Sequence, residues 1–514
     1  MDSTPVQDVH AFIQTMVSWG VKTCCIGAGS RSTHLIQSMT DHNINIIPFL
    51  DERAVGFLAL GIIKATQHPV MVVTTSGTAV SNLAPAVAEA ANSHLNLIVC
   101  SADRPKYLYQ SSANQTMVQQ GVFPQKLAEI QWPEALPTCK QDLANALHAM
   151  QTIGGPIHIN VSLDDPTQTV YQPPAKVDKK AGVAWPQRGA MGPPKVAKVA
   201  DFLRAGTRPV LCIAQTEPWV PADTIRNLIL RMPWPSIVDV THMACKTLPN
   251  VYRSADVAVA WWRAHPEQAP DRILYCGGPW VSKAMAGYIT EFPDKVCHVS
   301  ESWLPVVPRD SIQMPYANLL DLAQDQLTAH ASNVALCNKQ AEAALAGTVS
   351  QEPQLERAFV AQIIGTLPDT CDLFVANSMS VRLVDERVSP SVRHVYVNRG
   401  VSGIDGNIAT VMGICQEKSD VPLVAIIGDL AALYDLNAFL LKDTIQRPLR
   451  IYILNNGGGG IFSTLPIANQ YPHFDAHFKC AHGVQITPIL EGMGVLVSQV
   501  QECGIIQHIK QDKH

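Results

Sequence analysis

A carboxylate and a side-chain amide, each directly after an apolar run, are the residues of this sequence best placed to do chemistry. Residues 423–427 lead into Gly428-Asp429-Leu430, and residues 451–454 lead into Asn455-Asn456 and the glycines 457–460. Read as two strands joined by a helix over about 431–441, they make one βαβ unit of about thirty residues, the usual length for that motif. Asp429 and Asn456 then stand at the carboxyl ends of two parallel strands, where open α/β sheets bind ligands. A carboxylate, an amide oxygen and a backbone carbonyl of the glycine run could give three oxygens to Mg²⁺, a hard ion that completes its octahedron with phosphates and water. Glycines also let backbone N–H groups approach phosphates closely. The same residues fit an ordinary strand-to-helix turn with an aspartate cap and a flexible glycine loop. The chain has no Gly-Lys dipeptide, hence no Walker A loop, and the glycine run does not fit GxGxxG.

A second carboxylate follows a strand-like segment in Asp51-Glu52-Arg53, just before a helix pattern over 54–66 with apolar residues at Val55, Leu58, Ala59, Ile62 and Ile63. An acid in a first helical turn is stabilised by the helix dipole by about 0.3–1 kcal/mol, which accounts for Glu52 if nothing else is considered. After the apolar run 70–74 come Thr75-Ser76-Gly77-Thr78, small residues that suit a capped turn or a contact with an anion. Four arginines share a place just beyond a predicted strand: Arg31, Arg104, Arg382 and Arg399. Each alone suits a surface or an ion pair. Together they suit a ligand with several carboxylates, which guanidinium forks bind bidentately.

The elements that must position these groups alternate between β-rich runs and helical patterns, the mark of parallel α/β architecture. Strands are expected at 23–26, 70–74, 95–100 and 157–161, then at 209–213, 236–240, 272–275 and 295–299, and finally at 373–375, 394–397, 423–427 and 451–454. A proline-rich stretch over 172–194 reads as a linker, and a polar, alanine-rich helix over about 332–346 closes the second block. With 514 residues at roughly 150 per domain, three domains are expected.

Composition excludes several classes. Hydrophobic residues make up 47% and charged residues 16%, too apolar for a disordered chain. Lys+Arg at 38 against Asp+Glu at 43 gives a net charge of -5, which argues against nucleic acid as the main partner. No apolar run reaches the roughly 18 residues of a membrane span; the most suggestive stretch, 423–441, is broken by Asp429 and Asp435. The N-terminal residues lack the layout of a signal peptide. The 13 cysteines form no CxxC pair, and Cys100, Cys212 and Cys276 sit in apolar runs as reduced core thiols do. A cytoplasmic protein is expected.

Taken together, the motifs resemble the 2-succinyl-5-enolpyruvyl-6-hydroxy-3-cyclohexene-1-carboxylate synthase family, thiamine-diphosphate enzymes of menaquinone biosynthesis. The resemblance rests on Gly29-Ser30-Arg31-Ser32-Thr33, Asp51-Glu52-Arg53, Thr74-Thr75-Ser76-Gly77-Thr78-Ala79, Ala102-Asp103-Arg104-Pro105 and Ala113-Asn114-Gln115. It continues through Gly155-Pro156-Ile157-His158-Ile159-Asn160-Val161, Asn377-Ser378 to Arg382, Asn398-Arg399-Gly400-Val401-Ser402-Gly403-Ile404-Asp405-Gly406, Gly428-Asp429-Leu430, and Asn455-Asn456 to Ile461-Phe462-Ser463. It is dense in the first and third blocks and thin in the second.

The resemblance implies the three-domain α/β architecture of thiamine-diphosphate enzymes, each domain a parallel sheet flanked by helices. Residues 1–180 would bind the pyrimidine, 195–345 would form a central Rossmann-like domain, and 353–514 would bind the diphosphate. The active site would lie between subunits of a homodimer or homotetramer. Glu52 would be the catalytic group, hydrogen-bonding the aminopyrimidine ring. The cofactor would also meet Ser76, Gly77, Ser402, Gly403, Ile404, Gly428, Asp429, Leu430, Asn456, Gly458, Gly459, Ile461 and Phe462. Asp429, Asn456 and Gly458 would hold Mg²⁺ or Mn²⁺. The substrates implied are 2-oxoglutarate and isochorismate, at Ser30, Arg31, Ser32, Arg104, Asn114, Gln115, Lys283, Ser378, Arg382, Arg399, Phe462 and Leu465. The reaction implied is decarboxylation of 2-oxoglutarate and 1,4-addition of the succinyl carbanion to isochorismate.

Three features depart from the family pattern. Ala28 and His34 replace two prolines around Gly29-Ser30-Arg31-Ser32-Thr33, Ala284 stands where a basic residue is common, and the third domain is expected to be shortened at its C-terminus. Two rival readings follow: another thiamine-diphosphate 2-oxo acid decarboxylase or synthase, and a homologue without catalysis. The arginine set speaks against the first, and intact Glu52, Asp429 and Asn456 against the second.

Overall fold

Unbroken runs of Val, Ile and Leu need cover on both faces, which a parallel sheet between helices supplies. The chain forms three such sheets. The computed structural model describes residues 6–109, 111–132, 136–164, 195–302, 311–322, 334–346, 352–500 and 504–509; the linker expected over 172–194 lies outside them. The described chain divides into two compact units, one of Met1–Gly189 with Asn398–Ser419 and Ala431–Arg447, the other of Ala190–Val397, Asp420–Leu430 and Pro448–His514.

The first unit holds β1 (Thr23–Gly27), β2 (Asn45–Pro48), β3 (Val70–Thr74), β4 (Leu97–Asp103), β5 (Ala128–Trp132) and β6 (Ile157–Ser162), in the order β2-β1-β3-β4-β6-β5. Every pairing is parallel. The order reverses between β1 and β3, so the crevice of this sheet opens at their carboxyl ends. One face is filled by Phe12, Ile13, Met16, Leu35, Met71, Ile98 and Leu147, all at 1% exposure or less, each worth about 1.5–3 kcal/mol when fully buried.

The helix Glu52–Thr66 packs against the helix Asn407–Ile414 of the same unit. Glycines make the crossing possible: a Cβ on Gly61 would stand 2.1 Å from the Thr410 carbonyl oxygen, and one on Gly413 would stand 2.1 Å from that of Leu58. At such a crossing only glycine lets two backbones touch.

The second unit holds two sheets. β7 (Pro209–Ile213), β8 (Ser236–Val238), β9 (Val251–Tyr252), β10 (Arg272–Cys276), β11 (Val296–Ser300) and β12 (Ile312–Gln313) run parallel in the order β12-β11-β10-β7-β8-β9. That is the strand order of a Rossmann-type sheet. In the other, β13 (Cys371–Val375), β14 (Val392–Val397), β15 (Leu423–Gly428), β16 (Leu449–Leu454), β17 (Val497–Val500) and β18 (Gly504–Ile509) take the order β14-β13-β15-β16-β18-β17. Its first four strands are parallel. The last two are not: β18 pairs antiparallel with both β16 and β17. After β16 the chain supplies a helix, Ile486–Gly492, and the strands β17 and β18, which extend the sheet.

No described helix is long and apolar enough to cross a membrane. No disulfide joins the described cysteines, and Cys100, Cys212 and Cys276 are buried in the sheets, where burial pushes their thiols up.

Candidate active site

In the first unit the crevice between β1 and β3 gathers the first group of expected residues. Beyond β1 the chain turns through the short helix Ser30–Ser32. Ser32 is fully buried and its hydroxyl donates to the Gly29 carbonyl at 2.9 Å. Arg31 is 5% exposed and reaches the Leu163 carbonyl at 3.2 Å. Gly29 has no room for a side chain, because a Cβ there would sit 2.5 Å from that of Thr75 in the turn after β3. The two loops at the switch point therefore touch.

Glu52 opens the helix Glu52–Thr66, capped by the Asp51 carboxylate on the Arg53 amide at 2.9 Å. Burial alone would raise the Asp51 carboxyl, but the Arg53 guanidinium and amide outweigh it and hold it below the ordinary range. The Glu52 side chain lies across Gly27, whose Cβ would stand 2.7 Å from its Cγ. Its carboxylate accepts from the Asn82 amide at 3.4 Å. The dipole account of Glu52 is thus incomplete: a bare glycine in β1 and an amide from the next turn aim this acid into the crevice.

Beside it, Gly77 takes a positive φ of 85°, and Ser76 donates to the Gln115 carbonyl at 2.8 Å. This ties the Ser76–Gly77 turn to the exposed Asn114 and Gln115. Arg104 follows β4, half-buried, and its Nε is buried with no hydrogen-bond partner among the described residues. The loop of residues 398–406 belongs to the same unit and carries Arg399, Ser402, Gly403 and Ile404. Glu89, 1% exposed, clamps it: its two oxygens accept from the Gly400 amide at 3.0 Å and the Val401 amide at 2.8 Å, with Ser93 Oγ at 2.8 Å. Ser402 sits at φ 59°, and Val401 and Ile404 are exposed by 50% and 41%. Glu89 was missed in the sequence, although a lone acid inside the apolar helix Ala84–Asn92 was the available signal.

In the second unit the switch point lies between β13 and β15. Asp429 directly follows β15 and is 3% exposed. Its Oδ1 accepts from the Leu430 amide at 2.7 Å and its Oδ2 from the Gly458 amide at 2.9 Å. Asn456 follows β16, and its Oδ1 accepts from the same Gly458 amide at 3.2 Å. Gly428, Asp429, Leu430, Asn456, Gly458 and Gly459 therefore converge at the ends of two neighbouring strands. Gly457 and Gly458 take φ of 75° and 150°, and a Cβ on Gly458 would stand 2.6 Å from the Lys479 carbonyl. The glycine run is held in place by this packing and is not a loose loop. His482 also meets Asp429 Oδ2, at 3.2 Å. Glu356, hydrogen-bonded to Asn456, has its carboxyl raised by burial and by the Asp429 charge, against the lowering effect of Asn456. A carboxylate, an amide oxygen and the Gly458 carbonyl, which also accepts from the Gly460 amide at 3.0 Å, are the hard donors that Mg²⁺ prefers, so the residues present fit a magnesium-bound diphosphate.

After β13, Ser378 takes φ 71° and starts the helix Met379–Asp385 with Arg382 on it. Arg382 and Lys283 line one cavity of about 240 Å³ together with Asp256, Asp385, Glu386 and Thr464. Asp256 accepts from the Ser282 hydroxyl, Asp385 pairs with the buried Lys246 at 2.7 Å, and one oxygen of Glu386 pairs with Arg357 at 2.8 Å. Lys283 and Arg382 are the cations among the residues that line it. Ile461, Phe462 and Leu465 follow on a short helix and its end, with Phe462 exposed by 37% and its ring 6.0 Å from that of Phe478. In the first unit Glu52, Ser30, Arg31, Ser32, Ser76, Gly77 and Arg104 lie on the strand-end turns; in the second, Asp429 and Asn456 meet at the Gly458 amide, and Arg382 and Lys283 line one cavity.

Residues 8–127 match the family described as thiamine pyrophosphate enzyme, N-terminal TPP binding domain. Three relatives carry the name 2-succinyl-5-enolpyruvyl-6-hydroxy-3-cyclohexene-1-carboxylate synthase. One from Haemophilus influenzae is 32% identical over 93% of this chain and 87% of its own. One from Roseiflexus castenholzii is 31% identical over 90% and 86%, and one from Chlorobium phaeobacteroides is 30% identical over 94% and 88%. Similarity at this level along nearly the whole length, with the motif residues gathered at the switch points, places the chain in the 2-succinyl-5-enolpyruvyl-6-hydroxy-3-cyclohexene-1-carboxylate synthase family of thiamine-diphosphate enzymes.

Proposed function

We propose that this chain decarboxylates 2-oxoglutarate and adds the succinyl unit to isochorismate in a 1,4 fashion, a step of menaquinone biosynthesis. The observation that supports the reading is that Lys283 and Arg382, both expected on substrate carboxylates, line one cavity. Such a cavity suits an anionic ligand, and both substrates are dianions. When bound, thiamine diphosphate supplies the electron sink that lets a 2-oxo acid lose CO₂.

The chain's own residues bind and orient. Glu52 would hydrogen-bond the aminopyrimidine ring and favour its imino form, and Ser76 and Gly77 would flank that ring. Asp429, Asn456 and the Gly458 carbonyl would hold Mg²⁺ or Mn²⁺ against the diphosphate, with Gly428, Leu430 and Gly459 shaping the loops around it. Ile404, Ile461, Phe462 and Leu465 would form apolar walls that exclude water. Ser30, Arg31, Ser32, Arg104, Asn114, Gln115, Ser378 and Arg399 would join Lys283 and Arg382 on the substrate carboxylates and hydroxyls. The exposure of Leu50, Val401, Ile404 and Tyr434 beside these motifs supports association into a homodimer or homotetramer with the site between subunits.

The test is loss of isochorismate in the presence of purified protein and 2-oxoglutarate. Consumption that requires thiamine diphosphate and a divalent metal together supports the reading. Turnover of pyruvate with no use of isochorismate overturns it.

A further inference from the structure

Three of the motif segments of the first unit meet in a buried chain of hydrogen bonds that the proposed reaction does not use. It starts at the Gly77 amide, which donates to Gln119 Oε1 at 2.9 Å. Gln119, fully buried, donates through Nε2 to Asn160 Oδ1 at 2.8 Å and to the Ala102 carbonyl at 3.2 Å. Asn160, 2% exposed, donates through Nδ2 to Asp103 Oδ2 at 2.7 Å and to Gln131 Oε1 at 2.9 Å. Asp103 Oδ2 also accepts from the Tyr109 hydroxyl, and Asp103 Oδ1 accepts from the Arg104 amide at 2.7 Å. A side branch runs from Asn160 Oδ1 to the Ser101 hydroxyl at 2.8 Å and on to His158 at 2.7 Å.

The chain has one polarity: Gly77 donates to Gln119, Gln119 to Asn160, and Asn160 to Asp103. Both amides use both their donors and their acceptor, so neither can be turned over without setting donor against donor. A planar amide satisfies three partners only when they stand at fixed spacings. Replacing it with an apolar side chain would leave the Gly77 amide, the Ala102 carbonyl and Asn160 Oδ1 each short of a partner in a dry interior. A second tie, from Ser76 Oγ to the Gln115 carbonyl, holds the same turn to the segment on which Gln119 lies.

We propose that Gln119 is a positioning residue which, with Asn160 behind it, sets the spacing between the Ser76–Gly77 turn and the end of β4 that carries Arg104. Gln119 touches neither substrate nor cofactor; it makes the cofactor-facing turn and the substrate-facing arginine one rigid piece. This rests on the proposed function for the roles of the two ends.

The experiment compares Gln119→Leu and Gln119→Glu with the unaltered full-length protein. Thiamine diphosphate affinity is measured by calorimetry in Mg²⁺ without substrates, steady-state constants for 2-oxoglutarate and isochorismate are determined, and thermal midpoints are recorded. Gln119→Leu is expected to weaken cofactor binding and to raise KM by about tenfold each, with a smaller change in kcat. Gln119→Glu keeps an acceptor for the Gly77 amide but sets an oxygen against the Ala102 carbonyl and Asn160 Oδ1, so it is expected to recover only part of that loss, chiefly in cofactor affinity. Affinity and KM within about twofold of the unaltered protein in folded Gln119→Leu would overturn the proposal. Equal losses in both variants that simply follow their thermal midpoints would also overturn it, as would unaltered protein that binds no thiamine diphosphate. If the unaltered protein binds the cofactor but does not consume isochorismate, the proposed reaction fails, while the affinity ratio still decides the role of Gln119.

Discussion

Glu52 shows how little a residue's place in the sequence says about its work until its neighbours are known. An acid in a first helical turn needs no explanation beyond the dipole. In the structure its side chain crosses Gly27 and meets Asn82, so two other segments shape where it points. Glu52→Gln is expected to lower turnover by at least about 100-fold, the scale of a lost acid–base contribution, while thiamine diphosphate still binds. Turnover near that of the unaltered enzyme would refute the assigned role. Asp429→Ala should act differently: cofactor binding in Mg²⁺, followed by calorimetry, should be lost together with activity, because the carboxylate is the charged member of the donor set. Asp435 makes a pH prediction. Burial pushes its carboxyl up to about 7, against the amides of Ala409 and Ile408 that lower it, with Asp51 and Asp405 adding to the rise. A carboxyl whose pKa is higher in the folded than in the unfolded chain binds more protons when folded. Its contribution to stability therefore falls as pH rises from about 4 to about 7, then levels off. Asp435→Asn should flatten that fall, measured as thermal midpoints across the window; an unchanged slope would contradict it.

The elements that carry these residues were legible in proportion to how completely they are buried. β1, β3, β7, β15 and β16 read directly from runs such as Val70–Thr74, because an unbroken β-branched stretch fits only a strand covered on both faces. Short edge strands gave no such run. β2, β9 and β12 pair on one side only, and Ile312–Gln313 has two residues in which to show a pattern. The antiparallel hairpin of β17 and β18 was invisible for another reason: its pairing is set by neighbours in space and not by periodicity. The glycines of the site were legible as glycines but not as contacts. Gly61 against Gly413 joins positions far apart in sequence. The Glu89 clamp is of the same kind, since its partners Gly400 and Val401 lie 311 and 312 residues away. Removing it leaves two amides and a hydroxyl without their acceptor. Glu89→Ala is expected to destabilise the protein by about 2–4 kcal/mol in urea unfolding, and Glu89→Gln by clearly less. A change within about 0.5 kcal/mol for Glu89→Ala would show that the loop does not depend on the clamp.

For the whole molecule, the expected substrate and cofactor residues fall into two sets on two compact units, with Glu52 on one and Asp429 on the other. If the active site is completed between subunits, the two defects can be separated. Glu52→Gln and Asp429→Ala proteins, each inactive alone, should regain about a quarter of full activity when unfolded and refolded together as equal mixtures, since half the dimers then carry one intact site. No recovery in correctly assembled mixed dimers would place the complete site within one chain. With Ala28, His34 and Ala284 at their positions, Lys283 and Arg382 line one cavity and Asp429 and Asn456 meet at the Gly458 amide. The account as a whole is tested most directly by stoichiometry. With thiamine diphosphate, Mg²⁺, 2-oxoglutarate and isochorismate, one CO₂ should be released for each isochorismate consumed, and the product should have the mass of isochorismate plus 2-oxoglutarate less CO₂. Release of CO₂ from 2-oxoglutarate with isochorismate left untouched, or no release by folded, cofactor-bound protein, would contradict it.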